Sequence, residues 1–292
     1  MSAMSQDDYL PLVQRALAED LGDKGDITSN AVFSDEESRA RLYSKDRGIL
    51  AGAEVFCAAY KHIDPRVAVE FSFQDGESIR PGDAVAEISG SVVSILSGER
   101  VAINFLSFLS GIATATRKFV DAAAAAGNAV ILDTRKTLPG YRALSKYAVR
   151  AGGGRNHRQG LYDMVLLKDN HIDFAGSISR AVERIRLKYG NTYKIEVECR
   201  TLDEVKEALA SAVDVIMLDN MAEEDVRSAC LYRDGPGYGH NEFVNVEFEA
   251  SGNMNIETVA TMSKAGVDYI SVGSLTHSVT SFDYSLKTDE KK

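Results

Sequence analysis

The hydrophobic positions of this chain change their period along its length. Near the start, Leu10, Val13, Leu17 and Leu21 recur on one face at helical spacing, which predicts an amphipathic surface helix. The next stretch reads as strands and turns. ESRARLYSKDRGILAGAEVFCAAY ends in a helical pattern, and VAVEFSFQDGESIRPGDAVAEISGSVVSIL is interrupted by Asp75-Gly76 and Pro81-Gly82-Asp83, so an antiparallel, β-rich unit is expected. Residues 97–127 turn helical again, with an Ala-rich end and an expected soft break at Ser110-Gly111, as a connector between domains would.

Beyond that connector a unit repeats: an apolar β-branched run, a polar residue, then a helical segment. The runs are AVILDTRKT, DMVLLKDN, KIEVECR, VDVIMLDN, VNVEFEASG and VDYISVGS. Continuous apolar character and intervening helices mark buried parallel strands with crossovers. Six such units suit a β/α barrel, with an open doubly wound sheet as the structural competitor. Barrel strands open their carboxyl ends on one face, so Asp133, Lys168, Glu198, Asp219, Glu249 and Gly273-Ser274 would meet in one mouth. No GxGxxG follows the first of these strands, which removes the main support for a dinucleotide site.

Composition narrows the class. The chain has 292 residues, is 45% hydrophobic and carries a formal charge of -10, which disfavours nucleic acid and anionic membranes as partners. No stretch reads as both long and apolar enough to cross a bilayer. The first residues lack a signal-peptide pattern, and the three cysteines show no paired spacing, so a cytoplasmic protein with reduced thiols is expected. Charge is unevenly placed: between Asp133 and His171 eight Lys and Arg face three acids, a net +5, leaving -15 for the rest.

That cationic island carries candidate chemistry. Arg holds a planar carboxylate through a two-pronged fork, whereas Lys is a mobile point charge suited to phosphate. Arg135, Lys136, Lys168 and His171 stand at strand ends, and AGGGRNHR at 151–158 sets His157 and Arg158 after three glycines that would let backbone approach a ligand. Arg135 could instead be only an ion-pair partner of Asp133. Glu198 and Asp219 end successive strands and could hold Mg²⁺ through water, take ribose hydroxyls and steady a positive anomeric carbon. Glu196 should turn to the same side one layer deeper and is given no role. Ser251-Gly252 and Gly273-Ser274 follow the last two strands, where barrels bind terminal phosphates. His62 and His240 carry no chemical signal.

The block DTRKTLPGYRALSKYAVRAGGGRNHRQGLYDMVLLKDNHI resembles the central signature of the quinolinate phosphoribosyltransferase family. The likeness continues through GDITS at 25–29, GILAG at 48–52, SGERVAINFLSFLSGIAT at 97–114, IEVE at 195–198, IMLDNM at 216–221, EASG at 249–252 and VGSLTHS at 272–278. The resemblance implies an N-terminal α/β sandwich over 1–115, joined by the tail 277–292, and an incomplete β/α barrel over 116–276. It also implies a homodimer or larger homo-oligomer with shared sites.

Carried over position by position, Arg100 from a neighbouring subunit would bind quinolinate together with Arg135, His157, Arg158 and Lys168. Lys136, Glu198, Asp219, Ser251, Gly252, Gly273 and His277 would bind phosphoribosyl pyrophosphate, with Mg²⁺ at Glu198 and Asp219. Lys136, Lys168, Glu198 and Asp219 are the implied catalytic set. The implied reaction yields nicotinate mononucleotide, pyrophosphate and carbon dioxide. The chain departs from the family pattern at Asn253, where a second glycine is usual, and in the long Gly-rich segment 231–248, read as a surface insertion. The rival readings are a related pyrophosphorylase with another acceptor, and a noncatalytic anion-binding barrel. Three fork donors favour a dicarboxylate over a neutral base, and paired carboxylates are costly in a pocket that only binds anions.

Overall fold

The computed structural model describes residues 4–235 and 246–288; most of the proposed insertion, with His240, lies outside them. In chain order the elements begin with α1 (Gln6–Leu21), α2 (Ile27–Val32), β1 (Glu37–Ser44), β2 (Gly48–Ile49), α3 (Ala53–Ile63) and β3 (Ala68–Phe71). Next come β4 (Ser78–Ile79), β5 (Ala84–Ser91), α4 (Val92–Ala126), β6 (Val130–Leu132), α5 (Arg142–Ala151) and β7 (Val165–Leu167). The series continues with α6 (Asp169–Ala175), α7 (Ile178–Tyr189), β8 (Ile195–Cys199), α8 (Leu202–Ala210), β9 (Val215–Asp219) and α9 (Glu223–Asp234). It closes with β10 (Glu247–Ser251), α10 (Ile256–Ala265), β11 (Tyr269–Ser271), α11 (Ser274–His277) and β12 (Tyr284–Thr288). Two compact units result. One holds the described residues up to Arg117, Leu138–Gly153 and those from Ser278 on; the other holds Lys118–Thr137 and the described part of Gly154–His277.

In the first unit four antiparallel strands run in the order β12, β1, β5, β3, and β2 pairs separately with β4. Alternation puts Ala40, Leu42 and Ser44 of β1 inward, opposite Ile88 and Ala86 of β5 in register. α1 starts on a capping box in which Ser5 and Asp8 satisfy each other's backbone N–H, and it buries Tyr9, Val13 and Leu17. On α3, Phe56 meets Phe71 of β3 edge-on at 5.4 Å.

The expected break in α4 does not occur; the helix runs unbroken for 35 residues. Tertiary contacts override the weak Ser110-Gly111 step. Ser110 Oγ receives the N–H of Ala51 and the hydroxyl of Tyr284, and a Cβ on Gly111 would stand 2.3 Å from the Thr280 carbonyl oxygen. Gly111→Ala should therefore lower stability by about 1–3 kcal/mol through overpacking; an unchanged melting temperature would contradict this. By length and composition α4 could also span a bilayer, contrary to the sequence expectation. Its apolar stripe, including Ala102, Leu106, Leu109, Ile112 and Ala113, is instead buried in the fold.

One expected boundary shifts: 138–153 belongs to the first unit instead of the barrel. Its anchors explain this. The Tyr141 ring stacks at 5.9 Å on Phe105 and sits edge-on at 5.2 Å to Phe108, while Tyr147 Oη donates to Asp75 Oδ2 at 2.5 Å. A Cβ on Gly152 would lie 2.5 Å from the Ala113 carbonyl oxygen. Gly152 thus lets α5 close on α4, which corrects the expectation that this part of the glycine run approaches a ligand.

The second unit holds the six expected strands, all parallel, in the order β6, β11, β10, β9, β8, β7. β7 to β11 are neighbours in sequence order and β6 adjoins the last of them, which is barrel order without the reversal a doubly wound sheet requires. The ring is incomplete between β6 and β7. There the Arg155 backbone extends β6, donating to Ile131 O at 2.8 Å and accepting from Asp133 N at 3.2 Å.

Candidate functional site

At the carboxyl ends of these strands lies a cavity of about 570 Å³. Its lining includes Arg135, Lys136, Lys168, Glu198, Asp219, Ser251 and Gly252, each delivered by the end of a strand or the loop beyond it, and His157 and Arg158 from the segment between α5 and β7. The volume suits small molecules rather than a macromolecular strand.

The cationic wall is built around Asp133, fully buried at the end of β6. Its Oδ2 accepts from Asn156 Nδ2 at 2.5 Å and its Oδ1 from the His157 N–H at 3.0 Å, which pins the loop that presents Arg158. Burial and the nearby Arg135 hold Arg158 below the usual guanidinium range, against an opposing pull from Glu196 and Asp163. Arg135 and Arg158 thus present two guanidiniums to the cavity. An anion placed between them would relieve their repulsion.

The opposite wall carries the acids. Glu198 faces Met217 in register, so Asp219 points to the same inner face one pleat further along β9. Glu198 Oε2 lies 2.7 Å from Lys168 Nζ, and Asp219 Oδ2 accepts from Asn220 Nδ2 at 2.8 Å. His171, at the start of α6, accepts the Lys168 N–H on Nδ1 at 3.0 Å, so it caps that helix.

Beyond β10 the chain turns sharply against β9. Gly252 has φ +102°, and a Cβ there would stand 2.2 Å from Asn220 Oδ1, so no side chain fits. Asn253 follows at φ 45°, a left-handed conformation that asparagine tolerates better than most residues, which accounts for its place where glycine is usual.

Glu196 and Glu249, the latter beside the cavity, are both buried within reach of His157. His157 Nε2 stands 3.0 Å from Glu196 Oε2 and 3.5 Å from Glu249 Oε2. Its Nδ1 accepts the Arg158 N–H at 2.7 Å, which leaves the ring proton on Nε2. Burial, then the charge of Glu196, pushes Glu249 well above the usual carboxylate range. Such a group binds its proton more tightly when folded, so its contribution to stability is complete at acid pH and drains away as pH rises past ordinary carboxyl values toward its own. Glu249→Gln should thus gain in melting temperature relative to the parent between about pH 5 and about pH 8; parallel curves for the two proteins would refute this.

Three expected site residues stand elsewhere. Arg100 lies on α4 in the first unit, at a groove shared with Glu19, Asp20, Asn104, Phe105 and Tyr141. Gly273 and His277 lie at the rim. A Cβ on Gly273 would be 3.2 Å from both Lys136 Cδ and His277 Nε2, and Thr276 Oγ1 donates to Lys136 O at 2.8 Å. The sequence reading gave no role to Glu249, Glu196, Asn156 or Asn220. Glu196 and Glu249 had a visible signal, an acid at an inward position of a strand that is otherwise apolar inside.

Fork donors and paired acids facing one another beneath a Gly-containing rim define an enzyme that joins two anionic small molecules at a barrel mouth. Two family models cover nearly the whole chain: "Quinolinate phosphoribosyl transferase, N-terminal domain" over residues 26–110 and the corresponding C-terminal domain over 112–287. The chain belongs to the quinolinate phosphoribosyltransferase family. It is 41% identical to the probable nicotinate-nucleotide pyrophosphorylase [carboxylating] of Bacillus subtilis, across 94% of this chain and 91% of that one. Identity to the chloroplastic nicotinate-nucleotide pyrophosphorylase [carboxylating] of Arabidopsis thaliana is 43%, across 97% and 83%. The crystal structure of NadC from Streptococcus pyogenes matches at 38% identity with a TM-score of 0.91, covering 99% of this chain and 100% of that one. The function is that of the family, a pentosyl transfer to quinolinate with loss of carbon dioxide, in NAD biosynthesis.

Proposed function

We propose that the barrel cavity performs this transfer with quinolinate at its cationic wall and phosphoribosyl pyrophosphate across its acidic wall and rim. The observation that carries the assignment is the meeting of Arg135, Arg158 and Lys168 with Glu198 and Asp219 in one cavity. Arg135, Arg158 and Lys168 take the two carboxylates of quinolinate. Lys136, Ser251, Gly252, Gly273 and His277 take the phosphates. A dicarboxylate offers each of the two neighbouring guanidiniums a charged partner for its fork, which a neutral acceptor does not.

The pyridine nitrogen forms a bond to the anomeric carbon as the carbon–oxygen bond to pyrophosphate breaks. Positive charge spreads over the ribose ring meanwhile, and Glu198 and Asp219 stabilise it. Glu198 is free to do so once quinolinate draws Lys168 away. The new bond makes the ring nitrogen cationic, so the adjacent carboxylate leaves as carbon dioxide, its electrons remaining on the ring carbon, which then takes a proton.

The acids and the Asn220 and Ser251 oxygens beside them form an all-oxygen donor set that suits a hard cation, and Glu198 already holds a cationic group in Lys168. Glu198 and Asp219 would hold Mg²⁺, directly or through water, and the ion would offset the charge of the leaving pyrophosphate. Arg100 stands on the other unit, and we assign it to the quinolinate end of a neighbouring subunit's site, in a homodimer or larger homo-oligomer. We place the enzyme in the cytoplasm. Purified protein given quinolinate, phosphoribosyl pyrophosphate and Mg²⁺ should form nicotinate mononucleotide and carbon dioxide, with nicotinate as a poor acceptor. Equal use of nicotinate would defeat the dicarboxylate assignment.

A further inference from the structure

Glu196 and Glu249 take no part in the steps above, yet both carboxylates are hidden in the barrel. Acids so placed are costly to fold unless they act on something. What they meet is His157. Its Nε2 faces Glu196 at 3.0 Å and Glu249 at 3.5 Å, while its Nδ1 receives the backbone N–H of Arg158 at 2.7 Å. Nδ1 is thus committed to Arg158 while Nε2 lies against the two acids, so the imidazole links Glu196 and Glu249 to the backbone that carries Arg158. From the other side Asp133 holds the same loop through the His157 N–H and the Asn156 amide. The Arg158 side chain is steadied at 3.2 Å by the Met164 carbonyl, which accepts from Nη1.

We propose that Glu196 and Glu249 are positioning residues which, through His157, fix Arg158 for a carboxylate of quinolinate, and that His157 serves as a strut instead of touching the acceptor. The proposal rests on the assignment of Arg158 given above. A fork donor is effective only when held within a fraction of an ångström of its partner, so loosening the strut weakens acceptor binding while leaving the sugar end intact.

The test is a double-mutant cycle with steady-state kinetics on the full chain. Glu196→Gln keeps the side-chain volume and should raise the KM for quinolinate by roughly 10-fold, with the KM for phosphoribosyl pyrophosphate changed by less than about 2-fold. Arg158→Ala should raise the quinolinate KM further, and adding Glu196→Gln to it should then have no additional effect, because the strut would have nothing left to position. Full additivity of the two changes, or a parental quinolinate KM in Glu196→Gln, would overturn the proposal. Should Glu196→Gln fail to fold, Glu249→Gln enters the same cycle with the same expected pattern. An equivalent of tightly held metal, present in the purified protein and absent from Glu249→Gln, would assign the three side chains to a cation and likewise overturn it. An unchanged quinolinate KM in Arg158→Ala would strike the assignment of Arg158 itself, a failure distinct from that of the strut.

Discussion

Arg135→Ala should lower kcat/KM for quinolinate by at least roughly 10³-fold while leaving the melting temperature and circular dichroism unchanged. Arg135 lines the cavity next to Arg158, and the two guanidiniums form the wall assigned to a dianion. Removing one leaves a carboxylate desolvated and unpaired in every state from binding to product, so loss should fall on KM as well as turnover. Mixing with an Arg100→Ala variant carries the point further. If subunits share their sites, two inactive proteins should regain activity in mixed oligomers, where some sites receive both arginines. Silence in the mixture would count against shared sites; full activity in Arg135→Ala alone would remove the residue from the mechanism.

Glu198→Gln should act differently. Its carboxylate is assigned to charge that appears only as the glycosidic bond breaks, so kcat should drop by about 10²–10³-fold with smaller changes in either KM. The substitution also releases Lys168, now 2.7 Å from Glu198 Oε2, and that freed ammonium should tighten quinolinate slightly. A loss confined to the KM for phosphoribosyl pyrophosphate would reduce Glu198 to a ground-state binding group.

Much of this architecture was legible in the sequence because barrel strands buried on both faces announce themselves. Val215–Asp219 reads as an apolar run ending in an acid, Ile195–Cys199 alternates apolar residues with Glu196 and Glu198, and the fold puts Glu198 and Asp219 on one inner face. The failures came where partners are distant in sequence. Ser110-Gly111 looks like a helix break locally, and only Thr280 and Tyr284, far along the chain, show why it is not. Gly152 looked like a ligand-facing residue until Ala113 appeared against it. Glu196 could be placed inward by strand alternation, but nothing in its surroundings named His157 as its partner.

The gap between β6 and β7 gives the loop at 155–158 two duties. Arg155 serves as a partial stave beside Leu132, and three residues further on the same backbone presents Arg158 to the cavity. The substrate grip assigned to Arg158 and the closure of the wall therefore draw on one short loop. Any change that relaxes this loop for faster release also unfastens the seam of the barrel, so here durability and turnover pull against each other over a span of four residues.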